Sequence, residues 1–172
     1  MKKICGLLFI VFMMNLKAES VLALLKGIEN NHTLHMTYKM HAFICKPYGV
    51  ETVSELLQRT DVNSSCMGYL LDFRMSDPKE KSFAHSLLHI QQQYSVEGIS
   101  DLCLLHLSSG NSYSEALLEK GYARIPPAQL FEDEILRYRF KQAVKRAKVT
   151  KAGLWSDVNA KNCFLSTKIK EK

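Results

Sequence analysis

The sequence has no Gly-rich phosphate loop, no Gly-x-Ser-x-Gly elbow and no His-Glu-x-x-His. These gaps remove the short motifs of a nucleotide-binding loop, a hydrolase serine and a metalloprotease zinc site. No two cysteines form a Cys-x-x-Cys pair, so neither a redox motif nor a zinc motif is expected. No repeat or low-complexity linker interrupts the chain, and its one long apolar run is residues 4–14. That run is shorter than the roughly 20 residues a membrane-spanning helix needs.

The run has the setting of a secretory signal instead. Lys2 and Lys3 precede it, and the small Ala18 suits cleavage before Glu19. The sequence therefore predicts a signal peptide over residues 1–18, a domain over 19–160 and a polar, basic, frayed tail over 161–172. After cleavage no membrane span is expected, and the location is periplasmic or secreted. The full chain has 23 basic and 17 acidic residues. Lys2, Lys3 and Lys17 leave with the signal, so 20 basic residues face 17 acidic ones, net +3. That excess is small for a nucleic-acid binder.

Four cysteines remain: Cys45, Cys66, Cys103 and Cys163. An even count in an exported chain predicts two disulfides. Three connectivities are open. Cys45–Cys66 with Cys103–Cys163 is favoured, because the first closes a short insertion and the second ties the tail to the body.

The element pattern alternates short strands with helices. Strands are expected over 21–28, 33–38 and 40–45, with a turn near Lys39. Residues 50–59 read as a short helix and 67–73 as another strand. Pro78 opens a helix to about Tyr94, with Phe83, Leu87, Ile90 and Tyr94 on one face. Residues 95–98 and 102–107 read as a hairpin, 114–120 as a short helix capped by Gly121, and 122–125 as extended. The last helix is expected over 129–149, acidic early and basic late, in accord with the helix dipole. Lys141, Lys145, Arg146 and Lys148 on it read as a solvated face. Leu154 and Trp155 are expected to fold back on the core.

The segments EALLEKGYARI (115–125) and KQAVKRAKVTKAGLWSD (141–157) resemble the staphylococcal nuclease-like (thermonuclease) family. More loosely, 21–45 resembles its first three strands, 78–94 its first helix and 102–111 its last strand. The resemblance implies an α+β fold: a five-stranded OB-type β-barrel with three helices. Active members carry a Gly-Asp-Thr turn whose aspartate holds calcium. They also carry an Arg-Leu-x-Gly-Ile-Asp-x-Pro-Glu segment supplying a phosphate-gripping arginine, a calcium aspartate and a proposed base. A second arginine precedes the fifth strand. Here the turn reads Asn30-Asn31-His32-Thr33, and Met40, Cys45 and Tyr48 stand at the arginine, aspartate and glutamate places. Asp101 stands at the second arginine. Hard cations need oxygen ligands, and a phosphodiester transition state needs positive charge. Catalytic, metal and cofactor residues are thus expected to be none, with calcium required only by a nuclease alternative. The best rival set is Arg74, Asp77 and Glu80.

Other groupings are weaker. His85 and His89 share a face if the helix runs through both, but no third ligand is in view. Asn31 and Asn63 begin glycosylation patterns. Tyr38, Tyr48, Tyr69, Tyr94 and Tyr113 suit base stacking, or more commonly a core. The favoured expectation is a non-catalytic protein-binding module of a cell-envelope assembly. Its partner is another envelope protein, met by the inserted segment 47–73 through Tyr48, Val53, Leu56 and Leu57. The alternatives are a calcium-dependent secreted nuclease with a rearranged site, and a non-catalytic binder of single-stranded nucleic acid.

Overall fold

The computed structural model describes residues 19–59, 62–99, 102–126, 131 and 133–166. The expected signal peptide, Asp101 and Gln129 lie outside the described residues.

Alternating burial builds the sheet. In β1 (Val21–Ile28) Ala23 and Leu25 point inward, and in β2 (Leu34–Tyr38) Leu34 and Met36 do. With β3 (His41–Cys45), β5 (Gln93–Ile99) and β6 (Leu102–His106) they form an antiparallel sheet in the order β3-β2-β1-β5-β6. Lys39 takes the left-handed conformation of the β2–β3 turn, φ 55°. The sheet curls until its two edges touch. Tyr48 N donates to Cys103 O at 2.9 Å and Cys103 N to Lys46 O at 2.8 Å, a parallel bridge between the end of β3 and β6. Strand order and closing contact agree with the expected OB-type arrangement. A small ladder, β4 (Glu51–Thr52) with β7 (Ala123–Arg124), lies apart from this sheet.

Six α-helices are described, where the residue pattern gave four and the resemblance implied three. Residues 50–59 give only α1 (Val53–Leu56), because Glu51 and Thr52 pair with β7 and Thr52 then caps the helix. The strand expected over 67–73 is α2 (Ser64–Ser76). Its apolar residues surround the helix with little periodicity, so the deciding signal is the Asn63 cap, which accepts from Ser65 N at 2.8 Å. The helix from Pro78 stops as α3 at Leu87, short of Tyr94. Gln91 turns at φ 69°, and its N–H bonds Leu25 O, so residues 93–99 join β1 as a strand. Strand pairing overrides the helical spacing of Ile90 and Tyr94.

Helix α4 (Tyr113–Glu119) begins with a capping box from Ser112 and Glu115. Helix α5 (Glu134–Thr150) starts at the Asp133 cap, and Leu136, Phe140, Ala143 and Ala147 are its buried stripe. Gly121, at φ 69°, lies against the backbone of Ala152, and Gly153, at φ 51°, against Lys120 and Gly121. No side chain fits between these turns, and Leu154 then folds into the core as expected. The tail expected from Lys161 begins within α6 (Val158–Ser166), which buries Ala160, Cys163 and Phe164. The four cysteines among the described residues are bridged, but as Cys45–Cys103 and Cys66–Cys163, which corrects the favoured pairing. The first joins the two edges of the curled sheet, and the second joins α2 to α6.

Candidate functional site

The β1–β2 turn, Lys46 after β3, α1 and α3 meet at one end of the curled sheet. Asn30 shapes the turn: its Oδ1 accepts from His32 N at 2.7 Å and Thr33 N at 3.0 Å. Asn31 is buried, and its Nδ2 donates to Glu80 Oε1 at 3.0 Å and to Glu80 O. Its Oδ1 accepts from Ala84 N at 2.9 Å, and its own carbonyl accepts from Tyr113 Oη at 3.1 Å. The turn is thereby locked to α3.

The rival trio Arg74, Asp77 and Glu80 does come together, but inside this lock. Glu80 is 0% exposed, with Arg74 Nε 3.3 Å from Oε2. Burial pushes its carboxyl up, against the pull of Arg74 and the Asn31 bond. Asp77 caps α3 and accepts from Tyr122 Oη at 3.1 Å. Burial and Asp77 push the Tyr122 phenol up. The carboxylates of this trio thus face protein donors, so the set does not fit a hard cation that needs open oxygen ligands. Among the described residues no three His, Cys, Asp or Glu side chains gather in a metal-holding group.

Beside the lock sits a second charged group. His32 Nδ1 lies 3.3 Å from Glu55 Oε2, the His32 side chain being 10% exposed. Burial, with help from the Lys46 charge, pushes the His32 imidazole down to about 4. Burial and neighbouring Glu51 push the Glu55 carboxyl up. Glu51 itself is held by both arginines: Arg124 Nε at 2.7 Å and Nη2 at 2.6 Å, and Arg59 Nη1 at 2.9 Å. Arg124 also bonds the Phe164 carbonyl, tying α6 to the β4–β7 ladder. Sequence reasoning missed the group of Glu51, Arg59 and Arg124. A buried ion pair between distant segments has no spacing signature.

The remaining expected positions are scattered. Met40 is 96% exposed at the β2–β3 tip, Cys45 is in a bridge, and the Tyr48 ring meets Phe131 edge-on at 6.0 Å. Val53 and Leu56 are 0% exposed, Tyr48 is buried and Leu57 half-buried, so these four pack in the body. The exposed apolar side chains of this stretch are on α2: Tyr69, Leu71 and, just beyond the expected insertion, Met75. His89 falls beyond the end of α3, so it does not share a helix face with His85. Tyr94 and Tyr113 are buried, Tyr38 is half-buried and Tyr69 exposed. Asn63 caps α2 from an exposed position, whereas Asn31 is inside. Lys141, Lys145, Arg146 and Lys148 are exposed on α5, with Arg146 paired to Glu119 at 3.1 Å and Lys148 over the Trp155 ring. Among the described residues no helix is long and apolar enough to cross a membrane. No protein-family model matches the chain, and no curated protein matches it.

Proposed function

We propose that this is an exported, non-catalytic nuclease-like domain that serves as a protein-binding module of a cell-envelope assembly. The observation that carries the reading is the use made of the polar side chains between the β1–β2 turn and α3. Asn31 bonds Glu80, Ala84 and Tyr113, Arg74 lies beside Glu80, Asp77 is held by Tyr122, and Glu80 has no exposed surface. A general base must reach substrate or its water. A phosphate clamp must present unspent donors to it. Glu80, with no exposed surface, does not suit the first requirement, and Arg74, its Nε set 3.3 Å from that carboxylate, does not suit the second. Two bridges accord with an oxidising compartment. Leu71 and Met75, exposed on α2, which Cys66–Cys163 pins to α6, offer an apolar surface on a rigid element.

The test has two arms. Purified protein is expected to leave single- and double-stranded DNA and RNA intact with or without calcium, and a nucleoside bisphosphate with calcium is expected not to raise its Tm. A photo-crosslinking residue at Met75 is expected to capture one discrete envelope protein in cells, while the same residue at Lys26 on β1 captures none. Calcium-dependent cleavage that disappears in Glu80→Gln would overturn the non-catalytic reading. Equal labelling from both positions would remove the α2 surface.

A further inference from the structure

Helix α5 carries a second pattern outside its buried stripe. Ile135, Tyr138, Gln142, Lys145 and Val149 follow one another at steps of three and four, the spacing of a coiled-coil seam. Ile135 is 72% exposed, Tyr138 63% and Val149 75%, in a helix whose other face is already packed. The lower half of this seam borders a groove of about 610 Å³ between α4 and α5, lined by Glu119, Gln142, Lys145, Val149 and Ala152.

The seam pairs with itself in either direction, and charge selects between the two. Ile135 and Val149 stand seven residues either side of Gln142. Laid antiparallel on a second copy, with Gln142 at the two-fold axis, Ile135 of each chain meets Val149 of the other. Tyr138 then falls opposite position 146, one residue's rise from Lys145 of the seam, which suits a cation over a ring. The two Gln142 amides meet at the centre, where each can donate to and accept from the other. Charge selects this antiparallel direction. Asp133 and Glu134 stand at the start of α5, and Lys145, Lys148 and Lys151 at its end. Arg137 and Arg146 are held by Glu134 and Glu119. Antiparallel pairing puts the acidic start of one helix against the basic end of the other and opposes their dipoles favourably. Parallel pairing would set like charges side by side. We propose that the protein forms a two-fold homodimer through antiparallel α5 helices, with Ile135 of each copy seated at the α4–α5 groove of the other.

Cysteine trapping in the full chain, combined with light scattering, tests this. Gln142→Cys is expected to give a disulfide-linked dimer on mild oxidation, and Lys26→Cys on β1 to stay monomeric. Mixed Ile135→Cys and Val149→Cys chains are expected to cross-link to each other more readily than either does to itself. Ile135→Glu changes an exposed residue, so it is expected to leave Tm nearly unchanged while shifting the dimer to monomer. A chain that is monomeric at every concentration overturns the proposal. So does self-linking of Ile135→Cys, which would mean a parallel pair, or a dimer untouched by Ile135→Glu.

Discussion

His32 is held neutral by its surroundings, and that has a direct consequence in acid. Its folded value is about 4 against an ordinary 6.5, so the unfolded chain takes up the proton first. The stability this represents is fully present above about pH 6.5 and is lost as pH falls toward 4. A shift of this size corresponds to about 3 kcal/mol. Glu55 and Glu80 work in the opposite direction, since a raised carboxyl favours the folded state below its unfolded value. Lys46, Glu51 and Arg59 share the same neighbourhood. The expected net result is a Tm that falls between pH 7 and pH 4.5, with a smaller fall in His32→Asn. Thermal melts of both proteins at the two pH values decide it: an equal fall would remove His32 as the cause.

At the level of elements, the sequence exposed what is local and hid what is not. Strands β1, β2 and β3 were legible because alternation and turn residues lie within a few positions of each other. Helix α5 was legible from its stripe, and its start at Asp133 follows from a cap whose side chain accepts from Ile135 and Leu136 N–H. Helices α2 and α6 were not: beyond the Asn63 cap of α2 neither carries a clear apolar stripe, and they are held by packing on each other and by the Cys66–Cys163 bridge, 97 residues apart in sequence. The candidate site was half legible. The departures at Met40, Cys45 and Tyr48 could be read directly, but the burial of Glu80 by a turn 49 residues away could not. Replacing Cys66 and Cys163 by serine is expected to cost about 2–5 kcal/mol, the usual range for a native bridge in a small exported domain. Amide exchange should rise in α2 and α6 and stay unchanged in β1, β2 and β5. Equal protection in both proteins would mean that packing alone holds the two helices.

For the whole molecule, an α+β body with a curled five-stranded sheet is fastened at two places far apart in the chain. The bridges interleave: Cys66 lies inside the span from Cys45 to Cys103, and Cys103 inside the span from Cys66 to Cys163. As a covalent graph, the two loops overlap and leave no gap between Cys45 and Cys163. A single backbone cut anywhere in that span leaves both pieces in one molecule. So does one cut in each of any two of the three intervals between the cysteines. A piece is released only by two cuts within one interval, or by a cut in each of the three. Limited proteolysis should therefore give several bands on a reducing gel from material that ran as one band without reductant. Fragments escaping without reductant after the first cut within this span would mean that the bridges do not interleave. Among proteases, such a chain can be nicked without coming apart, a kind of durability that depends on connectivity and not on the free energy of folding.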